Sequence, residues 1–273
     1  MHILDRVAAE EMLLRLNYYR FTGYALHFEI FQNRKRTDRF KPGTTFNQVV
    51  GLYEFDTRLR ALLFRYIEPV EVAFRTALCY EMATRTNDPH WYLDRNRYDG
   101  RFNYQNLLRD CEREYHRSDE IFIKSYKRKY SLPSLPPAWM MSEILSIGRW
   151  SMLFKYLADY DAKKAVASHF STRTHYLESW MHSLSVLRNL CAHHCRIWNR
   201  SFTIPPTLPN KLKPLVNSNA KLAAVTIALT HLLKPLHRNF DFQKDWDALL
   251  AAFPSVPRDK MGFLPQAQRK GDA

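Results

Sequence analysis

Apolar side chains recur along this chain at three- and four-residue intervals, the spacing that lines up one face of an α-helix. Ile3, Val7, Met12, Leu13 and Leu16 predict a first helix, which runs into an aromatic cluster from Asn17 to Tyr24. Tyr18, Tyr19 and Tyr24 are expected to pack there as a corner. The polar stretch Asn33 to Arg39 leads to Pro42-Gly43, a turn signal, and reads as an exposed connection. Thr45 is a fitting N-cap for a helix carrying Phe46, Val49, Val50, Tyr53, Leu59, Leu62, Leu63 and Tyr66 on one face. Pro69 interrupts that pattern, so the helix is kinked or restarted there, and it should end near Thr86 to Pro89.

Beyond a less regular stretch, 90–137, with short helices at 104–115 and 119–130, the pattern predicts helices at 138–147, around 150–157 and at 175–200. Pro205, Pro206 and Pro209 break the chain before segments at 218–236 and 242–252, and a mobile tail is expected after Pro257. No stretch alternates with the period of a strand, and seven glycines in 273 residues are few for the tight turns of a β fold. The expectation is an all-α helical bundle with irregular insertions. Its segments are 1–44, a helix and aromatic corner; 45–237, the core with a basic insertion near 90–137; and 238–273, a final helix and tail, all integrated into one domain.

Charge narrows the partners. Lys and Arg number 41 against 27 Asp and Glu, a net charge of +14, which favours a polyanionic partner, nucleic acid first. No apolar run is long enough for a membrane span and no secretory leader is seen at Met1 to Arg6, so a cytoplasmic protein without a membrane or DNA partner is expected. Cys79, Cys111, Cys191 and Cys195 are too scattered for a disulfide framework. Cys191, His193, His194 and Cys195 are all potential metal ligands, but they wrap one helix with no second pair elsewhere, so neither a metal nor another cofactor is expected.

The segment 175–200 carries two stripes. Trp180, Leu184, Leu187, Cys191 and Trp198 form an apolar one, while His182, Ser185, Asn189, His193, Arg196 and Arg200 fall on a polar, nitrogen-rich edge suited to a cleft. His194 falls toward the apolar side and reads as a hydrogen-bonded structural histidine. Arg20, Glu71 and Arg75 read as an internal ion network. Lys124, Lys127, Arg128 and Lys129, interleaved with tyrosines, and the basic run Arg34, Lys35, Arg36 are candidate RNA contacts, as are Arg196 and Arg200.

The sequence Arg188-Asn189-Leu190-Cys191-Ala192-His193-His194-Cys195-Arg196-Ile197-Trp198-Asn199-Arg200 resembles the RN-x-x-AHH-x-R-x-W-N-R signature of abortive-infection proteins of the AbiD and AbiF kind, which belong to the HEPN ribonuclease superfamily. Further blocks resemble that family in order: Asn17-Tyr18-Tyr19-Arg20 with Gly23-Tyr24, Leu52-Tyr53 with Phe55-Asp56, Ile67-Glu68 with Glu71 and Arg75-Thr76, Pro137 with Trp139, and Glu143, Ser146 and Gly148. The chain departs from it at Cys195, where a small residue is usual, and at Pro69. The resemblance implies a HEPN-type bundle and metal-independent RNA cleavage by a toxin, with Arg188, Asn189 and His193 as catalytic residues. The residue types suit that chemistry. An imidazole titrates near neutrality and can relay the proton of a 2′-hydroxyl or of a leaving oxygen. A guanidinium makes paired hydrogen bonds to a phosphate as its charge grows, and Asn189 can orient the ring or donate to the phosphate. Arg188 and His193, five positions apart, diverge by roughly 140° on a helix. The family's solution to that divergence implies a homodimer with a composite site. The net charge favours an RNA over a protein as the antitoxin. A non-catalytic RNA-binding protein, or a HEPN partner of a nucleotidyltransferase with a protein antitoxin, are the alternative readings.

Overall fold

A capping box starts the longest helix. Gln48 N donates to Thr45 Oγ1 at 3.2 Å while Gln48 Oε1 accepts from Thr45 N at 2.9 Å, so each residue satisfies a backbone donor of the other. From there α3 runs unbroken over Phe46–Thr86, with Pro69 inside it. The helix is not restarted at Pro69, because loss of one N–H donor is tolerated within a helix held by buried side chains on both sides of the proline. The helix ends where expected, at Thr86, and Asn87 follows in the left-handed region, φ 50°.

The computed structural model describes residues 1–33, 35–236 and 241–264. Among these residues the regular elements are helices except for one two-stranded antiparallel hairpin. The chain divides into two compact units, Met1–Leu62 with Gln243–Pro257, and Leu63–Phe242 with Arg258–Ala273.

In the first unit, α1 (Arg6–Arg15) and α2 (Tyr18–Ala25) start at side-chain caps, Asp5 accepting from Ala8 N and Asn17 from Tyr19 N. Phe21 stacks on Phe46, and Tyr24 meets Tyr53 edge-on. The fully buried Asp56 accepts from Tyr24 Oη at 2.7 Å and from Arg60 at 2.6 Å, so charge, phenol and guanidinium satisfy one another. Only part of the corner packs as expected. Tyr24 is buried, but Tyr18 and Tyr19 are exposed, as are Ile3 and Val7, and Ala9 is the buried residue of α1. The stretch expected as a connection is instead the hairpin β1 (Glu29–Gln32) and β2 (Lys35–Phe40), with Asn33 at φ 50° in its turn. It was hidden because its second strand is polar on both faces. The other element of this unit is α11 (Phe242–Ala252), from Gln243 on; Phe253 just beyond it packs edge-on against Phe55.

The second unit continues α3 and adds α4 (Tyr104–Arg117), α5 (Ile121–Lys129), α6 (Ala138–Ile144), α7 (Ile147–Tyr156), α8 (Tyr160–Ser168), α9 (Thr174–Ala192) and α10 (Leu222–Leu233). The sequence pattern missed α8, whose buried side is only Ala162, Lys163, Val166 and Ala167. Helix α9 is central here, packing against α7, α8 and α10. Trp91, Trp150, Trp180 and Trp198 are all fully buried, together with Phe74, Phe154 and Phe170. After α9 the chain turns back along it. Trp180 Nε1 donates to Thr207 O at 2.8 Å, Ser179 bonds Thr207, and Ser183 donates to Ile204 O. Residues 258–264 correct the expectation of a mobile tail. Met261 is buried, Val216 bridges Phe263, and Gly262, at φ 91°, lies so close to Lys221 that a Cβ would stand 2.5 Å from that residue's Cβ. Tail residues 265–273 lie outside the described residues.

Candidate functional site

The sequence expected α9 to run to Arg200, but it stops at Ala192 in a Schellman turn. His193 is the C-cap, His194 takes the left-handed position at φ 54°, His194 N donates to Cys191 O at 3.0 Å, and Cys195 N reaches back to Leu190 O at 2.9 Å. Glycine usually fills that position because a Cβ strains it. Here a histidine does, which is why the stop went unread. The polar edge is therefore cut. His182, Ser185 and Asn189 lie on α9 and His193 closes it, but Arg196 and Arg200 belong to the following loop, where Arg200 Nε donates to Arg196 O at 2.6 Å. Trp198 is likewise beyond the helix, though buried. His194 is exposed rather than turned to the apolar side, and its backbone N–H closes the turn.

Within the last turn, Asn189 and His193 are exposed and Arg188 is half-buried. Arg188 lines a cavity of about 160 Å³ with Phe64, Ile67, Glu68, Glu71, Val72 and Arg75, all from α3. Its Nε lies 3.5 Å from Glu71 Oε2 without forming a hydrogen bond, and its guanidinium stands over the Phe64 ring at 5.6 Å. Glu71 also pairs with Arg75 one turn on, so this carboxylate lies between two guanidinium groups, and Glu68 adds a second carboxylate to the cavity wall. The expected Glu71–Arg75 pair is thus present, with Arg188 joined to it; Arg20 is exposed on α2 in the other unit. Asn189 and His193 do not line the cavity, so the structure gathers the three residues at one helix end without aiming them at one point.

The other candidates are dispersed. In α5, Arg128 and Lys129 are exposed, Lys124 pairs with Asp119 at 2.9 Å, and Lys127 reaches the backbone of His116 and stands 4.8 Å over Tyr115. Tyr126 is buried and only Tyr130 offers an exposed ring, so the interleaved tyrosines are not a row of platforms. Arg36 makes a two-point contact with Glu29 across the hairpin at 2.8 and 2.7 Å, Lys35 is exposed, and Arg34 lies outside the described residues. Among the described residues no three His, Cys, Asp or Glu side chains are placed to hold a metal ion, and no helix is long and apolar enough to cross a membrane.

What sequence reasoning missed is a second cavity on α9, about 200 Å³, lined by Lys155, His175, Glu178, Ser179, His182 and Ile204. His182 had been noted for its edge alone. Burial, and then the charge of Lys155, hold the His182 imidazole below its ordinary pKa. The signal that could have found it is the seven-residue spacing of His175, His182 and Asn189.

Comparison with curated proteins and with solved structures yields no match. A family model described as Abi-like protein, however, matches residues 11–199, from within α1 through the loop that closes α9. The matched stretch therefore takes in the cavity on α3, the turn at His193 and all the blocks between them, and the chain belongs to the Abi-like protein family.

Proposed function

We propose that this protein is a metal-independent endoribonuclease toxin of an abortive-infection system, and that its site is completed by a second copy of the chain. The observation that carries the proposal is the end of α9, where a half-buried guanidinium on a charged cavity and an exposed imidazole stand one helical turn apart. Arg188 donates to the non-bridging oxygens of a phosphodiester. The neighbouring 2′-oxygen attacks phosphorus, the bond to the 5′-oxygen breaks, and an imidazole takes the 2′-proton while a proton is supplied to the leaving oxygen. The products are a 2′,3′-cyclic phosphate and a 5′-hydroxyl. Asn189, four residues before His193 on the same edge, orients the ring or the phosphate.

Because Arg188 and His193 diverge around the helix, Arg188 of one subunit acts with His193 of the partner subunit. Support for a face that takes a second copy comes from α3, where Phe64 and Val72, both exposed, flank the Arg188 cavity. The net charge of +14 supports RNA as substrate and an RNA as antitoxin.

The test is cleavage of RNA by purified protein in the presence of a chelator. Arg188→Ala and His193→Ala are each expected to lower the rate by at least about 100-fold, the scale of a lost acid–base or charge-stabilising group. Mixing the two inactive variants should restore cleavage, since one of the two sites in the mixed dimer is intact. Undiminished cleavage by either variant sinks the catalytic assignment. Inactive mixtures, with exchange of subunits demonstrated, sink the composite site.

A further inference from the structure

The second cavity on α9 has no part in the chemistry above. Its lining brings together one lysine from α7, two histidines and a serine from α9, and Ile204 from the returning chain. The single acid among these residues is already engaged. Glu178 pairs with the buried Lys163 of α8 at 2.5 Å, and Lys163 also donates to Lys155 O at 2.8 Å. With that carboxylate paired to Lys163, the lining is left with Lys155 and the imidazoles of His175 and His182, one cation and two rings able to donate, a set that suits a phosphate.

Position gives this cavity its meaning. His175, His182 and Asn189 are spaced by seven, which drifts by only about 20° per step on a straight helix, so all three lie along one edge of α9. His182 stands about 10 Å along the axis from Asn189 and about 16 Å from His193 at ~1.5 Å per residue. The same edge therefore carries, in order, a phosphate-sized polar cavity and the exposed end of the helix.

We infer that the cavity lined by Lys155, His175 and His182 is a subsite for a backbone phosphate of single-stranded RNA, holding the substrate strand along α9 a few nucleotides from the scissile bond. The inference rests on the reading of the α9 terminus as the cleavage site for its position on the strand. It does not rest on it for the binding itself. Lys155 supplies the charge and the imidazoles of His175 and His182 supply direction, while the Ser179 hydroxyl is held by Thr207. Burial and Lys155 keep His182 largely neutral at pH 7, where a neutral ring still offers one N–H.

The experiment measures binding of a 2′-O-methyl oligoribonucleotide, which has no 2′-hydroxyl to attack, as a function of salt. Lys155→Ala and His182→Ala should each weaken binding by about 3- to 10-fold, and Lys155→Ala should reduce the slope of log affinity against log salt by about 0.7, one single-strand phosphate contact. Lys155→Arg should restore both, which a merely structural role would not require. Cleavage of a dinucleotide, too short to reach the cavity, should keep the wild-type rate in these variants. Unchanged affinity and slope in Lys155→Ala overturn the subsite even if Arg188→Ala abolishes cleavage. Displacement of the oligonucleotide by an equal concentration of adenosine monophosphate also overturns it, because the cavity then takes a free nucleotide. Wild-type protein that binds in this way and cuts no RNA leaves the subsite standing and removes the cleavage proposal alone.

Discussion

A single backbone angle sets where α9 ends. His194 at φ 54° lets the chain reverse and leaves His193 as the C-cap of the helix, exposed and fixed by its own N–H bonded to Asn189 O at 2.9 Å. A left-handed residue costs an L-amino acid with a Cβ roughly 1–2 kcal/mol, while glycine in a folded chain forfeits about 0.5–1 kcal/mol of entropy. His194→Gly is therefore expected to leave stability unchanged or raise it by up to about 1 kcal/mol, and to retain cleavage. His194→Val, branched at the strained position, should lower stability by about 1–2 kcal/mol. Urea unfolding of both variants, beside their rates on RNA, checks this, and a large loss of cleavage in His194→Gly would mean that the side chain has a part of its own in the reaction. The same position explains what the sequence concealed at this scale. The block that holds Arg188, Asn189 and His193 was legible as a family signature, and the family match covers it. The stop after Ala192 was not, because the residue types at 193–195 carry no glycine to mark it.

At the scale of elements, legibility followed side-chain contrast. Helix α3 was readable from Thr45 to Thr86 because long apolar residues recur at buried positions and polar caps flank them. Helix α8 was not, since its buried face is mostly alanine, and β2 was not, since Lys35 to Arg39 present no apolar side. The docked segment 258–264 escaped for another reason. It is held by a few contacts, chiefly Met261 in the core, the bridge from Phe263 to Val216, and the close passage of Gly262 over Lys221. Both the positive φ and the 2.5 Å approach exclude a side chain there. Gly262→Ala is expected to destabilise by about 1–3 kcal/mol and to free this segment. Limited proteolysis should then cut near Arg258 and Lys260 well before the rest of the chain, whereas wild-type protein resists; equal cutting in both would contradict the docking.

For the whole molecule, three histidines set a pH response. His90, His182 and His231 are all held below the ordinary imidazole value, in each case first by burial. Above pH ~6.5 these rings are neutral whether the chain is folded or not, and they add nothing to the balance. As pH falls below that value the unfolded chain binds protons that the folded one refuses, so folding loses stability until the depressed folded pKa values are reached. The urea midpoint should thus fall between pH 7 and pH 5, and His182→Gln should reduce the size of that fall. An unchanged pH dependence in that variant would show that its ring does not contribute. The charge of +14, read from composition alone, belongs to this scale too, yet the sequence could not say that Arg36 and Lys124 are each engaged with a carboxylate.

The chain that returns along α9 has a bearing on what counts as the working unit. All the signature blocks end by Arg200, and the family match ends at residue 199. Yet the partner of the buried Trp180 indole is Thr207 O, that of Ser183 is Ile204 O, and α10, with Leu222, Val225 and Leu229 buried, packs on the same helix. The part of the sequence poorest in motifs is thus the brace of the part richest in them. A fragment cut at Arg200 would keep every recognisable residue and strip α9 of one wall, so motif content and foldable length are different quantities in this protein.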